Sequence, residues 1–467
     1  MGDQGVEKWR GALVVAVVLV LVGGAAVLAL VTQGDSSERA AASTSTTSTS
    51  TSAPSTTSTT AAPSSTPDVE APVSVPTSGE PVAPSGVREL VGSGIDGFLE
   101  LDEFGQAAVA VSADGQTVAT GTRTYEVEEV RVFRWSEDGW QQRGSSIRLE
   151  PGPDAFGQAL NFFSMSVELS ADGDTVAALS PADGIARVFE FVDGDWVQLG
   201  EDLQDPYASD SFGAAVALSG DGETVVLGTS IAFRPDPSRV RAFRFDGTDW
   251  VQVGDDIVRG GAFGHLLDVS FDGDTFAAAG GAYLVVVFRF DGSEWSSHAI
   301  PRAGRSRLGG IALSADGDTL IVSGPNLLEE DQLGHVRVWR FDGADWVQLG
   351  TDIIGETLDD AFGASVAASA DGETVVVGVP GFIEPGSHFG SLPSFGPRGS
   401  NSLVRVFRFD GSDWQQLGSG INSWMDGEGF GVFLGTSADG ETVAVSAPEF
   451  GTRSTGQLRV FQLEQER

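Results

Sequence analysis

Cysteine is absent from this chain of 467 residues. The fold therefore contains no disulfide bond, and a hydrophobic core alone has to stabilise it. The part of the chain after position 85, about 380 residues, is long enough to bury such a core. The sequence thus predicts a folded region that needs no covalent cross-link.

Basic residues are also scarce. The chain has 27 Lys and Arg against 66 Asp and Glu, and its formal net charge is −39. Nucleic acids and anionic membrane surfaces are bound through basic patches, so we expect neither as a partner. A charge of this sign is typical of a protein kept soluble by its charge, of one with a cationic partner, or of one from a salty habitat.

The chain has one long apolar run without charge, residues 11–31. As a helix it measures about 30 Å, which is sufficient to cross a bilayer. Lys8 and Arg10 precede the run and acidic residues follow it, so residues 1–10 are expected in the cytoplasm and the remainder outside. The prediction is a single-pass protein of the cell membrane with an extracellular C-terminal domain. A cleaved signal peptide is the alternative, although the run is longer than the apolar part of such peptides.

Residues 32–85 consist largely of Ser, Thr, Pro and Ala. Such a segment has too little apolar surface to offset the entropy of ordering, so it predicts a disordered stalk. Its Ser and Thr residues are candidates for O-glycosylation. The stalk is expected to hold the folded region away from the membrane.

The region from 86 to 467 repeats one unit seven times. A Ser-x-Asp-Gly-x-Thr core begins at Ser112, Ser170, Ser219, Ser270, Ser314, Ser369 and Ser437. A period of about 45 to 55 residues with two turn signals is typical of a propeller or a solenoid. Each unit predicts four strands, of which the third is apolar on both faces, and this favours radial blades over a sandwich.

Asp-Gly between apolar runs is a strong signal for a hairpin with a type I′ turn, in which both central residues have positive φ. A two-residue loop places Ser369 opposite Thr374 in the first hairpin of the sixth unit. The same Ser–Thr pair recurs in all seven units. Cross-strand pairs of this kind stabilise a sheet.

The second hairpin of each unit joins the third strand to a strand that begins at Trp. With the same two-residue loop, Arg408 lies opposite Asp413 and Phe407 lies opposite Trp414. Opposite charges and aromatic rings thus fall together, which supports this register.

The two ends of the repeat region complement each other. The seventh unit stops after its third strand, and residues 89–95 match the tail of the sixth unit at 415–421. We therefore expect residues 87–95 to provide the outer strand of blade seven and to close the ring. The predicted fold class is all-β: a seven-bladed β-propeller with four-stranded blades, preceded by one transmembrane helix and a disordered linker.

The Phe-Gly pairs that precede six of the seven cores, together with Gly378-Val-Pro380, resemble the FG-GAP repeat of integrin-type propellers. The spacing is also similar to WD repeats, but the Trp-Asp dipeptide is missing. The FG-GAP resemblance implies calcium loops of the form Asp-x-Asp-x-Asp-Gly. No such loop is present, and the short hairpins offer too few oxygens for Ca²⁺. We expect no cofactor, with calcium as the one open possibility.

Acidic residues precede the Phe-Gly pairs in most units. The favoured interpretation is that these are solvated loop acids. The weaker interpretation is a cation site at the mouth of the central channel, formed by Asp102, Glu103, Asp154, Asp210, Asp359, Asp360, Asp426 and Glu428. The four histidines lie at different points of different units, so they predict no catalytic cluster.

Longer connections between the second and third strands are expected on one face of the propeller, where binding residues usually lie. The longest runs from 380 to 402. The candidate binding residues are Phe233, Arg234, Phe382, Phe389, Phe395 and Trp424.

The predicted function is that of a membrane-anchored extracellular binding or adhesion module for a protein or polysaccharide. One alternative is an extracellular glycan hydrolase or lyase that uses loop carboxylates; it needs a close pair of them, one with a raised pKa, in a cleft. Another is a structural module that contacts a second envelope protein through a large apolar patch.

Overall fold

The computed structural model describes most of the repeat region and two short pieces before it. The described residues are 20–22, 25–27, 87–96, 108–123, 128–149, 165–180, 184–204, 214–229, 237–260, 263–280, 284–300, 308–325, 333–358, 360–381, 402–424, 428–448 and 456–463. The chain divides into two compact units, Met1–Ser78 and Gly79–Arg467.

In the first unit the described residues form a small antiparallel hairpin. Strand β1 (Val20–Val22) pairs with β2 (Ala25–Val27). These six positions are extended rather than helical, as β-branched Val and an intervening Gly-Gly pair permit. No described helix is long and apolar enough to span a membrane. The rest of the predicted helix 11–31, residues 1–10 and the stalk 32–85 lie outside the described residues.

The second unit begins with β3 (Val87–Asp96), which is followed by the strands of seven blades. Blades 1 to 3 comprise β4 (Val109–Val111), β5 (Thr117–Arg123), β6 (Glu128–Ser136), β7 (Gly139–Gln142), β8 (Ile147–Leu149); β9 (Ser166–Leu169), β10 (Thr175–Ser180), β11 (Ile185–Val192), β12 (Asp195–Gln198), β13 (Leu203–Gln204); β14 (Ala214–Leu218), β15 (Thr224–Thr229), β16 (Ser238–Phe245) and β17 (Trp250–Arg259).

Blades 4 to 7 follow in the same order. They comprise β18 (Leu266–Val269), β19 (Thr275–Gly280), β20 (Leu284–Phe290), β21 (Trp295–Ala299); β22 (Ile311–Leu313), β23 (Thr319–Gly324), β24 (His335–Phe341), β25 (Trp346–Gln348), β26 (Ile353–Ile354); β27 (Val366–Ala368), β28 (Thr374–Val379), β29 (Leu403–Phe409), β30 (Trp414–Asn422); β31 (Leu434–Thr436), β32 (Thr442–Ala447) and β33 (Gln457–Leu463).

Each blade is an antiparallel sheet whose strands we call A to D from the inside outwards. In blades 1, 2 and 5 an irregularity divides strand D into two pieces that pair with the same strand C. The seven A strands contact one another in a closed circle, because β31 of blade 7 meets β4 of blade 1. The structure confirms the seven-bladed all-β propeller with four-stranded blades.

Strand β3 closes the ring. It pairs with β33, with Val87 opposite Leu463 and Asp96 opposite Gln457, and a bulge interrupts the pairing between Glu89 and Gly94. Blade 7 thus takes its outer strand from the other end of the repeat region, as predicted. Closure of this kind gives β33 a partner along its outer edge.

The A–B turn differs from the predicted type I′ turn, although its pairing is correct. Ser369 N donates to Thr374 O at 2.9 Å, and Gly372 N donates to Ser369 O at 2.9 Å. Gly372 has positive φ, whereas Asp371 does not. The loop therefore has four residues and is built on a type I turn followed by a left-handed glycine. The Ser369 hydroxyl does not bond to the Thr374 hydroxyl; it donates to Asp371 Oδ1 at 2.6 Å and accepts from Thr374 N at 2.9 Å.

The predicted register of the C–D hairpin is wrong by two residues. Phe409, not Phe407, lies opposite Trp414, and the two rings are 5.4 Å apart. Asp410 starts a four-residue loop, because its Oδ1 accepts hydrogen bonds from the backbone N–H groups of Ser412 and Asp413.

The arginine of strand C consequently misses its predicted partner on strand D. In blade 6 it donates instead to a threonine on strand B, from Arg408 Nε to Thr374 Oγ1 at 3.2 Å. In blades 3 and 4 it reaches the next blade, where Arg244 bonds to Asp274 and Arg289 bonds to Asp318.

The A–B turns of the seven blades are joined by a closed circle of backbone hydrogen bonds of 2.8–3.0 Å. The circle runs through Ala113, Ala171, Gly220 with Asp221, Phe271, Ala315, Ala370 and Ala438, whose N–H donates back to Ala113 O. These residues follow the turn serines, so one repeated motif forms a rigid rim around the axis. The hydrophobic core fills the spaces between blades; Leu179 and Val188 of blade 2, for example, share a cluster with Val216 and Trp250 of blade 3.

Candidate functional site

The propeller has two unlike faces. The turn face carries the A–B and C–D turns, and the opposite loop face carries the B–C and D–A connections. The A–B turns are all alike, whereas the B–C connections differ widely in length. They range from 281–283 in blade 4 to 380–402 in blade 6.

Most of the predicted site residues lie outside the described part of the chain. These are Asp102, Glu103, Asp154, Asp210, Phe233, Arg234, Asp359, Phe382, Phe389, Phe395 and Asp426. The described strands that flank these residues end at the loop face. The three that are described are Asp360, Glu428 and Trp424.

Asp360 fixes the backbone of the connection before blade 6. Its Oδ1 accepts from Phe362 N at 3.0 Å and its Oδ2 accepts from Thr357 N at 3.2 Å. Both carboxylate oxygens are thus used to shape the loop that leads into the Phe-Gly pair. The arrangement is that of a turn-capping aspartate.

Glu428 forms a buried ion pair. Its oxygens accept from Arg459 Nη1 and Nη2 at 3.0 and 2.8 Å, and both side chains are 0% exposed. Glu428 also accepts from Trp424 N, and the Arg459 guanidinium lies 3.9 Å from the centre of the Trp424 ring. Arg459 therefore neutralises Glu428. Trp424 is 37% exposed and covers this pair from outside.

The same position of strand C carries an arginine in six blades, and each is paired with an acid from its own blade or from the connection that leads into or out of it. The pairs are Arg131–Glu129, Arg187–Asp202, Arg241–Asp256, Arg337–Asp352, Arg405–Glu356 and Arg459–Glu428. The Arg241 guanidinium lowers the pKa of Asp256, and Arg337 does the same to Asp352. Sequence reasoning missed this series. Its signal was the Gly-x-Asp at the end of strand D in blades 2, 3 and 5.

Blade 4 supports this interpretation, because it lacks both members of the pair. Val286 replaces the strand-C arginine, and strand D has no Gly-x-Asp. Arg259, from the end of strand D in blade 3, lies 5.5 Å from the ring centre of Phe263 instead. In blade 7, Arg459 lies 5.3 Å from Phe430 in the same way.

The three Phe-Gly pairs in the described part of the chain are structural. Phe263, Phe362 and Phe430 are 0% exposed. The glycine after each has φ between 85° and 88° and donates its N–H to strand B of the same blade, for example Gly363 to Gly378 O at 3.0 Å. Within the described residues no group of three or more acidic or histidine side chains is placed to hold a metal ion.

Exposed hydrophobic side chains on the loop face flank blade 6. Ile354, 54% exposed, ends the outer strand of blade 5, and Leu358, 49% exposed, lies in the connection that follows. Trp424 lies in the connection to blade 7. The long 380–402 connection, which carries three of the predicted phenylalanines, belongs to the blade between them. The loop face at blade 6 is therefore our candidate binding surface.

Two acids on the inner strands, both partly exposed, were not anticipated. Glu168 and Asp268 lie two residues before the turn serines of blades 2 and 4, where the other five blades have Ala or Gly. Burial raises the pKa of Asp268 to about 6, and burial, with a smaller contribution from the charge of Asp268, raises the pKa of Glu168 well above its usual value. An acid at a position otherwise held by small residues was the signal in the sequence.

The sequence matches no protein-family model and no curated protein. By fold, 1193 solved chains are similar to it, so the architecture is shared by many proteins. One of them, from the "Crystal Structure of Mitotic Checkpoint Complex", superposes with a TM-score of 0.51 at 12% identity. The match covers 84% of this chain and 98% of that chain. It shows the propeller fold; the FG-GAP resemblance is not confirmed, and a WD-type propeller fits equally well.

Proposed function

We propose that the protein is a binding module that presents the loop face of its propeller to a protein or polysaccharide outside the cell. The observation that carries this proposal is the contrast between its two faces. On the turn face the A–B turns are uniform, and seven backbone hydrogen bonds join them in a circle. The loop face has the variable connections and the exposed Ile354, Leu358 and Trp424.

Exposed hydrophobic residues mark interaction sites when they gather on one surface. Ile354 and Leu358 lie within five residues of each other, and Trp424 stacks on the rigid Arg459–Glu428 pair. An aromatic ring held by such a support loses little entropy on binding, as is common in recognition sites. The anchor at 11–31 and the stalk at 32–85 belong to the same proposal: they would display this face at the cell surface.

The test compares two triple variants of the full chain displayed on cells. Ile354→Ser/Leu358→Ser/Trp424→Ser removes the loop-face residues. Val197→Ser/Val251→Ser/Val347→Ser is the matched control, because these valines are 51–54% exposed on the D strands. Retention is measured on a polysaccharide array and on immobilised exported proteins. We expect the first variant to lose the retention that the control keeps; equal retention by both variants contradicts the proposal.

A glycan hydrolase or lyase is the second candidate function, and the two acids on the inner strands, Glu168 and Asp268, favour it. Glu168 has the raised pKa of a general acid. Asp268 is less suited to the second role, because both of its oxygens accept backbone N–H groups, from Val269 and Leu313. Release of reducing ends from a polysaccharide panel by the wild type, and its loss in Glu168→Gln, would support the enzyme.

A further inference from the structure

Strand D of blade 4 is two residues shorter than its counterparts. In blades 1, 2, 3, 5 and 6 an Ile or Leu that pairs with strand C follows seven residues after the tryptophan at the start of strand D. These residues are Ile147, Leu203, Ile257, Ile353 and Ile421. In blade 4 the separation along the chain from Trp295 to Ile300, which bonds to Val285, is five residues.

The difference is a bulge that strand D of blade 4 lacks. In blades 1, 2, 3, 5 and 6 the bulge begins at a glycine with φ between 63° and 72°, namely Gly144, Gly200, Gly254, Gly350 and Gly418. The residue before each of the first four accepts the indole N–H of the tryptophan in the next blade at 2.7–2.9 Å. In blade 4, Ala299 replaces the glycine and lies opposite Val286 in a regular ladder.

The regular ladder uses the carbonyl that the next blade would need. His298, before Ala299, lies opposite Val287. Ile300 N donates to Val285 O at 2.9 Å, and pairs that exchange both bonds alternate along an antiparallel ladder. His298 and Val287 therefore form such a pair, and the His298 carbonyl accepts a bond from its own blade.

Trp346 of blade 5 consequently has no acceptor for its indole N–H, although its side chain is only 7% exposed. Two more nitrogens of this joint, His298 Nδ1 and Trp339 Nε1, are also buried without a hydrogen-bond partner. The His298 ring lies 5.6 Å from that of Phe341, and both tryptophans share a hydrophobic cluster with Ile300 of blade 4. Such groups cost free energy, which water returns when the joint opens.

Other contacts hold the same joint along its inner strands and its turn face. Phe271 N donates to the turn of blade 5 at 2.8 Å, and Leu313 N donates to the Asp268 carboxylate at 2.6 Å. Near the turn face, Arg289 Nη2 donates to Asp318 Oδ1 at 2.6 Å. The joint is thus fastened on these two sides and lacks its indole hydrogen bond at the outer edge.

We propose that the joint between blades 4 and 5 is a hinge at which the propeller opens locally. Strands β21 and β25 separate and admit water to the Trp346 indole and the His298 imidazole, while the inner strands β18 and β22 stay joined. The hinge lies between the outer strands and not among the loop-face residues, so it is independent of the proposed binding function.

Hydrogen exchange of indole N–H groups, followed by NMR on the full chain labelled with ¹⁵N-tryptophan, tests the hinge. The references are the four indoles with an acceptor, those of Trp196, Trp250, Trp295 and Trp414. Trp140 is not a reference, because its indole N–H also lacks an acceptor. One net hydrogen bond changes an opening equilibrium by about tenfold, so we expect Trp346 to exchange about tenfold faster than the references. Burial alone predicts the opposite, because three of the references are more exposed than Trp346.

A graft tests the cause. Ala299→Gly-Ser-Ser copies residues 144–146 of blade 1 and restores both the glycine and the seven-residue spacing. We expect it to slow the exchange of Trp346 to the range of the references. Ala299→Ala-Ser-Ser is the matched control: it has the same length, but its Cβ would occupy the place of the glycine against the indole, so exchange should stay fast.

The wild type alone can overturn the proposal, so the test does not depend on the folding of a graft. Exchange of Trp346 as slow as that of the references contradicts the hinge, and so does fast exchange that persists in a folded Gly-Ser-Ser graft. The amide protons of Phe271 and Leu313 show whether opening is local. Protection of these amides as weak as that of the Trp346 indole would mean that the inner strands separate too, which also overturns the proposal.

Discussion

A glycine in the middle of strand D lies against the tryptophan of the next blade. The indole N–H of Trp250 donates to Leu199 O at 2.8 Å, and Trp196, Trp295 and Trp414 make the same contact with their preceding blades. In three of the four blades an aspartate before the tryptophan accepts an N–H from the same segment, as Asp249 does from Glu201 at 2.9 Å. This Asp-Trp pair, which we call the clasp, joins adjacent blades by hydrogen bonds.

Replacement of Gly200 by Ala tests the clasp. A Cβ at Gly200 would lie 2.6 Å from Trp250 Cδ1, and its φ of 72° is left-handed. Gly247, with φ of 96° and no atom within 4 Å of an added Cβ, is the matched control. The left-handed backbone alone costs about 1–2 kcal/mol in either variant. We expect the collision to cost Gly200→Ala about 1–3 kcal/mol more in urea unfolding; equal losses would show that the contact with Trp250 is unimportant.

The strand-C ion pairs allow a second comparison between residues. Glu428→Gln leaves the fully buried Arg459 without a counter-charge, and we expect a loss of about 3–5 kcal/mol in the free energy of unfolding. Asp202→Asn breaks the equivalent pair with Arg187, but Asp202 is 41% exposed, so water replaces much of the interaction and about 1 kcal/mol or less should be lost. Thermal or urea unfolding of the two variants measures both losses. A larger loss in Asp202→Asn than in Glu428→Gln would contradict this account.

At the scale of elements, strand β3 decides whether the ring is complete. Its six paired positions on β33 supply the outer edge of blade 7. Without β3, strand β33 would expose an unpaired edge beside a hydrophobic cluster that includes Phe461 and Leu463.

Two truncations test this closure. Removal of residues 1–86 keeps β3 and should leave the urea midpoint of the propeller unchanged. Removal of residues 1–97 deletes β3, and we expect a loss on the order of 5 kcal/mol, since each backbone hydrogen bond contributes about 1 kcal/mol. A synthetic peptide of residues 87–96 should restore part of the loss. Equal midpoints for the two truncations would show that the ring does not depend on β3.

At the scale of the whole molecule, charge is concentrated at the turns. Hydrogen bonds from the Ser412 hydroxyl and from backbone N–H groups lower the pKa of Asp410 to about 2, and bonds of the same kind lower those of Asp246 and Asp291. These acids stay ionised far into the acid range and contribute to the net charge of −39. They stabilise the fold above their unfolded pKa values and lose that effect as the pH falls.

Repulsion among so many acids should make stability depend on salt. The Debye length is about 10 Å at 0.1 M salt, so raising NaCl from 0.05 to 0.5 M takes it from above that value to below it. Repulsion between the acids is then screened, and we expect the thermal midpoint to rise. Millimolar CaCl₂ at matched ionic strength is the control and also tests for a calcium site. An equal midpoint in both salts indicates screening alone, whereas a further rise with calcium would indicate a bound ion. A midpoint that falls with NaCl would contradict the repulsion argument.

The sequence by itself determined the number of blades, the four strands in each, the ring closure by residues 87–95 and the Ser–Thr pairing. These features depend on local turn chemistry and on strand periodicity, which repeat seven times and so reinforce one another. The register of the C–D hairpin was mispredicted, because Asp410 bonds to the backbone of its own loop and lengthens it by two residues.

Only the tertiary structure decided which charges meet. Arg459 and Glu428 lie 31 positions apart, and the Asp-Trp contact, the circle of turn hydrogen bonds and the surroundings of Glu168 and Asp268 all depend on contacts between blades. Such contacts form when the ring closes, and no local pattern specifies them. The sequence therefore defines the blade, and packing between blades defines the environment of each charged group.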